Sequence, residues 1–258
     1  VNSPDINASC AGATLERNAK SAGGLALRMG ISSVRGMSDV VAQAIEDHRP
    51  YINMEDVVRK VPQLHVAQLE ALATAGVFNE SFGQQRRDAL WSAGAVIQSR
   101  PGTLDGVTTG VESPHLPGMQ PMEEAIADLW ATGVSTSGHP TEFLRIELER
   151  MGVATAMQLP QRGARGDEKV LVAGTVTHRQ RPMTAQGITF INLEDETGHI
   201  NVVCSVGCWA RYRKVARGAG ALLVRGRLEV GDGGVINVVA EHIAPLRVAA
   251  KVTARNFR

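Results

Sequence analysis

KVLVAGTVTH (Lys169–His178), GITFINLED (Gly187–Asp195), HINVVC (His199–Cys204), ALLVRGRLEV (Ala221–Val230) and VINVVAEHI (Val235–Ile243) are five runs rich in Val and Ile, with apolar residues recurring at period two. Runs of this kind, separated by turn chemistry at ETG and GDGG, read as short strands. A single helical segment interrupts them, SVGCWARYRKVARG (Ser205–Gly218), between the third and fourth runs. Five strands with a helix in that place follow the order of an OB fold, a partly open barrel. Gly174, inside the first run, suits the bend that such a barrel needs.

Before residue 157 the period is 3.6, and everything up to about Met157 reads as predominantly helical. In SDVVAQAIEDHR (Ser38–Arg49), Val40, Val41, Ala44 and Ile45 form one apolar stripe, Ser38 can cap the N-terminus and Pro50 stops the helix. LHVAQLEALATAG leads to Gly76, a natural C-cap. Further helices are predicted over 84–97 and 122–130. Between them, 99–121 is dense in Gly, Pro, Ser and Thr without apolar period and reads as a linker.

Composition bounds the function. A chain of 258 residues, 43% hydrophobic and 21% charged, can bury one or two ordinary cores. VNSPDINAS lacks the basic start and apolar run of a signal peptide, and the chain begins with Val1, so a longer parent extending upstream is expected. No stretch reaches the roughly 18 apolar residues of a membrane span. The three cysteines, Cys10, Cys204 and Cys208, are too few and too uneven for a disulfide framework. A soluble, cytoplasmic protein with no membrane partner is expected. Cys204, Cys208 and His199 could begin a zinc site, but no second Cys or His pair completes four ligands, and buried thiols are the expectation. The net charge of +1 conceals an asymmetry, −6 over residues 1–168 against +7 over 169–258. A basic C-terminal third suits a module that binds nucleic acid or another anion.

Glu194, Asp195 and Glu196 invite a catalytic metal-binding reading. Two-metal chemistry, however, needs carboxylates converging from rigid elements, whereas consecutive residues on a turn point apart. With Gly198 supplying the turn, a solvated hairpin tip between strands two and three is expected.

Two features carry nucleic-acid-binding logic. In SVRGMSDVVAQAI a tight turn at Gly36, Met37 and Ser38 feeds a helix N-terminus, where free N–H groups and the helix dipole favour an anion. It resembles a helix-hairpin-helix turn with Ser38 in place of the second glycine, and Arg35 adds charge; a purely structural N-cap is the alternative. VPQLHVAQLEALATAG resembles a second copy, with Pro62 and Gln63 where glycines belong, and reads as structural. The other feature is the barrel, since OB folds bind single strands across strands two and three and the adjoining loops. In the loop HRQRPMTAQG, Arg179 and Arg181 are placed to meet phosphates; the loop VGDGG is small. Phe190 shares a face with Ile188 and Asn192 and could stack a base, or belong to the core, since Ile191 and Leu193 make the opposite face apolar too. Arg211, Lys214 and Arg217 share a face of the connecting helix. With aromatics at 4%, stacking-driven binding is not expected; weak, salt-sensitive backbone binding is.

The whole chain resembles the C-terminal quarter of bacterial C-family DNA polymerases, and their error-prone branch most closely. The stretches that carry this are SPDINAS, LRMGISSVRGMSD, QLEALATAGVFN, RRDALW, ADLWATGVSTSGHPTEFLR, the segment from Val170 to Cys204, LLVRGRLE and ARNFR. The resemblance implies an α+β multidomain chain: residues 1–33 end a fingers domain, 34–98 form a helix-hairpin-helix domain, 99–121 a linker, 122–167 a helical connector, 168–246 an OB-fold β-barrel and 247–258 a tail. It implies a DNA-directed DNA polymerase parent acting in damage-induced mutagenesis and translesion synthesis. The catalytic aspartates and their Mg would lie in a palm domain upstream, so this segment carries no catalytic residue and no cofactor. Its sites would be nucleic-acid contacts at Arg35, Gly36, Met37, Ser38, Arg179, Arg181, Phe190 and Asn192. The partners implied are primed duplex, single-stranded template and accessory translesion proteins. The replicative branch carries a clamp-binding peptide before the barrel; LPGMQPMEEAIADLW shows none, so sliding-clamp recruitment is not implied here, and resemblance to the error-prone branch implies that no clamp-loader-binding domain is to be expected after the barrel.

Overall fold

The computed structural model describes residues 1–21, 23–99, 113–114, 116–163, 168–231, 234–246 and 255–256. It divides into two compact units, Val1–Thr136 and Ser137–Arg258. The expected linker lies outside the described residues over 100–112 and at 115, as does the tail apart from Arg255 and Asn256.

The first unit opens with a hairpin, β1 (Thr14–Arg17) and β2 (Leu25–Arg28), followed by α1 (Asp39–Asp47), α2 (Met54–Lys60), α3 (Val66–Thr74), α4 (Asn79–Phe82), α5 (Arg86–Val96) and α6 (Pro121–Ala131). The hairpin is a strand pair that the predominantly helical reading of this stretch did not include. Its polarity is inverted: Leu15, Leu25 and Leu27 face outward, while Arg28 is buried and ion-paired with Glu16 and Glu80 at 3.0 and 2.9 Å. An outward-apolar alternation does not announce a strand on a core.

Ser38 caps α1 as expected, its Oγ accepting from Val41 N at 3.3 Å. The stripe does not hold as drawn. Val40 is 74% exposed, and α1 buries Val41, Ala42 and Ile45 instead. Leu64, Leu69 and Leu72 join Ile31, Ile45 and Phe78 in one continuous core. Arg86 and Asp128, both nearly buried, form an ion pair at 2.6 Å that ties α5 to α6. α6, expected in the connector, therefore packs within this unit.

The second unit starts with α7 (Pro140–Phe143), α8 (Arg145–Arg150), β3 (Val153–Ala154) and α9 (Leu159–Gly163). Five long strands follow: β4 (Lys169–Gln180), β5 (Thr189–Asp195), β6 (Gly198–Cys204), β7 (Ala221–Val230) and β8 (Ile236–Pro245), with α10 (Val206–Gly218) between β6 and β7 and a short β9 (Arg255–Asn256) pairing β4. The order β4-β5-β6-β8-β7 closes on itself through antiparallel β4–β7 pairing, with β6 and β8 parallel. This is the five-stranded OB barrel that the period-two runs predict. Its core holds Val170, Val172, Ile191, Leu193, Ile200, Val202, Leu222, Val224, Leu228 and Val238, and α10 packs Trp209, Tyr212 and Val215 against it. Among the described residues no helix is long and apolar enough to cross a membrane.

Closure makes Gly174 obligatory. A Cβ there would lie 2.6 Å from the carbonyl oxygen of Glu194, a backbone atom of the neighbouring strand. We expect Gly174→Ala to destabilise the protein by about 2 kcal/mol, as overpacking does, read as a lower urea midpoint; an unchanged midpoint would show that β4 and β5 separate freely.

Candidate nucleic-acid interface

The outer face of the barrel carries an ordered set of side chains because pairing fixes which residues lie side by side. His178 pairs with Asn192, Asn192 with Asn201, and Asn201 with Asn237, so four polar residues form one row across β4, β5, β6 and β8. The next row is Gln180, Phe190, Val203 and Val239. A cleft of about 280 Å³ lies over these rows, lined by His178, Gln180, Phe190, Asn192, Asn201 and Asn237 among others. Phe190 is 38% exposed and belongs to this outer face, while Ile191 and Leu193 are core. That resolves the two positions left open for it.

Arg179 and Arg181 part company. The β4–β5 register shifts between Val176 and His178, a bulge that reverses the alternation of β4. Val170, Val172 and Val176 point in before it; afterwards Arg179 points in and His178 and Gln180 point out. Arg179 is 6% exposed, and its guanidinium donates to the carbonyls of Ala216 and Ala219 at 2.6 and 2.5 Å. It caps the C-terminus of α10, where a cation meets the negative end of the helix dipole. The expectation that Arg179 meets phosphate is corrected on this ground. Arg181 is exposed, as expected of a phosphate contact.

The carboxylate triplet is not a solvated tip. Asp195 is buried and accepts hydrogen bonds from Thr197 N, Thr197 Oγ1, Gly198 N and Ala156 N, at 2.7, 2.7, 3.0 and 2.7 Å. Glu196 accepts from Arg145 Nε and Nη2 at 2.5 and 2.8 Å and from Thr141 Oγ1 at 2.6 Å. Burial alone would raise the Glu196 pKa; the hydrogen bonds from Arg145 and Thr141 outweigh it and hold the carboxyl below its ordinary value. His139 joins the network, with Nδ1 2.6 Å from Thr141 Oγ1 and Nε2 3.2 Å from Thr175 Oγ1. Burial lowers its pKa although Glu194, Glu196, Asp195 and Glu142 pull the other way. Glu196 thus ties α7 and α8, and Asp195 the backbone at Ala156, to the β5–β6 hairpin. Sequence reading missed this because the partners lie some 40 to 55 residues upstream.

In the first unit, Gly36 takes φ +74, a left-handed turn residue with open space around it. Arg35, Gly36 and Ser38 are exposed and Met37 half-buried, and the Arg35 guanidinium lies 4.8 Å over the Trp130 ring. One of the free N–H groups of α1 is already taken by Ser38, and Gln68 Nε2 donates to the Gly36 carbonyl at 3.0 Å, joining this turn to the start of α3. At the second hairpin, Pro62 and Gln63 are exposed between buried Val61 and Leu64.

On α10, Arg211, Arg213, Lys214 and Arg217 are all exposed. Arg213 was not singled out from the sequence, although helical spacing places it on the same outer half. Cys204 is buried, which pushes its thiol up to about 12, the opposite of what a thiolate ligand requires. Asp232 and Gly233 of the VGDGG loop lie outside the described residues.

Fold and face together define a two-module segment, a helix-hairpin-helix region followed by an OB barrel with a polar outer row. Residues 1–89 match the helix-hairpin-helix motif family, and 170–246 match the OB-fold nucleic acid binding domain family. Over its entire length the chain is 47% identical to an error-prone DNA polymerase of Nocardia farcinica and 48% identical to one of Mycolicibacterium paratuberculosis, covering 23% of each. Over 90% of its length it is 43% identical to the error-prone DNA polymerase of Corynebacterium efficiens, covering 21% of that protein. Along its whole length the chain is thus similar to one part of the bacterial error-prone DNA polymerases. It spans about a quarter of the length of these relatives.

Arg179 and Arg181 separate by experiment. Arg179→Ala should cost about 3 kcal/mol, since it strips a charged donor from buried carbonyls, while Arg181→Ala should change stability by no more than about 0.5 kcal/mol; thermal denaturation reads both. The His139 network adds a pH dependence. Because the folded-state pKa of His139 is depressed, its contribution is fully present above the ordinary value of 6.5 and is lost as pH falls through the folded value. The urea midpoint should fall between pH 7.5 and 5.5, and His139→Asn should start lower and change less over that range.

Proposed function

We propose that this chain is the DNA-positioning and partner-docking segment of an error-prone DNA-directed DNA polymerase that acts in damage-induced mutagenesis and translesion synthesis. Full-length similarity to error-prone DNA polymerases carries this reading. The exposed barrel face supports it: Phe190 offers a ring to one base, Asn192 an amide, and Arg181 a cation to the backbone. The turn at Arg35, Gly36, Met37 and Ser38 is the second contact, aimed at duplex. Nucleotidyl transfer, and the Mg it uses, belong on this reading to a palm domain of the parent, and residues 1–33 are the end of its fingers. A second reading, docking of accessory translesion proteins by the barrel, is favoured by the single aromatic in the two outer rows, fewer than stacking binders use.

The purified chain should incorporate no nucleotide. It should bind single-stranded and primed DNA with affinity that falls steeply between 50 and 200 mM salt, on the order of 0.7 to 0.9 in log–log slope per phosphate neutralised. Arg181→Ala should weaken binding and lower that slope by about one contact. Absence of salt-dependent binding at micromolar protein would discard DNA positioning and leave protein docking.

A further inference from the structure

α10 buries one side and leaves the other without a counterpart. Trp209, Tyr212 and Val215 pack on the barrel, while two stripes at helical spacing lie on the outer half, Val206–Ala210–Arg213–Arg217 and Gly207–Arg211–Lys214, all exposed. None of the four cations forms an ion pair or hydrogen bond with a described residue, whereas Arg28, Arg86, Arg87 and Arg145 each meet a carboxylate. The adjoining chain supplies no counter-charge, since no acidic residue occurs between Glu196 and Glu229. Arg211 with Lys214, Lys214 with Arg217 and Arg213 with Arg217 are instead like-charge neighbours three or four residues apart, a spacing at which they destabilise a helix. A face with unrelieved repulsion of this kind gains whenever an anion covers it.

We infer that the outer face of α10 docks an acidic segment of a partner protein, one that sets a large apolar side chain among its carboxylates. The inference deepens the partner-docking role proposed above and rests on it. The face itself favours this occupant over a nucleic-acid strand. Its cations fill only the stretch from Arg211 to Arg217, about 9 Å along the axis, and the stretch before them offers Val206, 52% exposed, beside Gly207 and Ala210. A phosphate backbone carries its charge evenly along its length and has no apolar group to bury against Val206. The outward stripes hold no aromatic side chain on which a base could stack. A peptide with both kinds of side chain uses the whole face. Space above Gly207 is open, with nothing within 4 Å of where a Cβ would stand, so Gly207 and Ala210 make a low floor and Val206 its wall. An apolar contact edged by arginines is the usual anatomy of a protein interface. From Val206 to Arg217 the seat is about 16 Å long, three turns of helix.

Selection of random peptides of roughly three to four helical turns, displayed on phage, against the intact chain tests this; the leading peptide is then synthesised and measured by fluorescence anisotropy. Enriched peptides should carry several Asp or Glu together with a Leu, Phe or Trp. Arg213→Glu with Lys214→Glu should weaken the leading peptide at least about tenfold, and Val206→Ser about threefold. The double variant should melt no lower than the intact chain, because crowding of cations is relieved. Single-stranded DNA binding that depends on Arg181 should survive the double variant. Peptides that bind the double variant as tightly as the intact chain, or that show no excess of acid, would overturn α10 as the seat while leaving partner docking elsewhere on the chain. Loss of single-stranded DNA binding in the double variant, with peptide binding retained, would assign the face to nucleic acid instead. No enrichment at all would overturn both the seat and the docking role.

Discussion

β4 is the strand on which the barrel depends. It pairs with β5 on one side and β7 on the other, and closing a five-stranded sheet through one strand demands a sharp bend. Two local departures supply it. Gly174 lets the β5 backbone come to a distance that no side chain would permit. The bulge after Val176 adds a residue, tightens the twist and exchanges the inside and outside of the last stretch of β4. Without that exchange Arg179 would face solvent and His178 the core, and the polar row would lose its first member.

The charged groups that hold the second unit together are therefore interior ones. Arg179 locks the end of α10 to β4, and Arg145 with Glu196 locks α8 to the β5–β6 turn. Each satisfies backbone or carboxylate groups that would otherwise be stranded, which makes removal of one partner far costlier than the net worth of the pair. Both sets also hold rigid the strands that display the outer face. A contact surface on strands is positioned more exactly than one on loops, and here the loop arginine that remains outside, Arg181, comes two residues after the anchored one.

The strands, α10 and the order that names the barrel were legible because alternation and turn residues are local signals. β7 matches its predicted run residue for residue, and Ser205 caps α10 where the helical segment was expected to begin. What failed was parity and partnership. Phe190 could not be assigned a side from β5 alone, since both of its faces carry apolar residues and only closure distinguishes them. Arg179 was misplaced because a bulge leaves no sequence mark beyond Thr177. The triplet looked solvated because Arg145, Thr141 and the amide of Ala156 come from other elements. In the first unit, Val40 and the β1–β2 hairpin mislead for a related reason: each exposes the residues that a simple pattern would bury.

The outer face also has a direction. Glu194 and His199 pair beyond one side of the polar row, and Gln180 leads to Arg181 beyond the other. On the proposed reading, phosphates are repelled at the first side and attracted at the second, so charge sets where the backbone of a bound strand runs. α10 stands apart from this arrangement, with four cations on its outer half and no acid along its length. On the proposed reading the two surfaces answer differently to salt. Salt screens the attraction of anions to α10 and Arg181, whereas the neutral row offers no charge to screen.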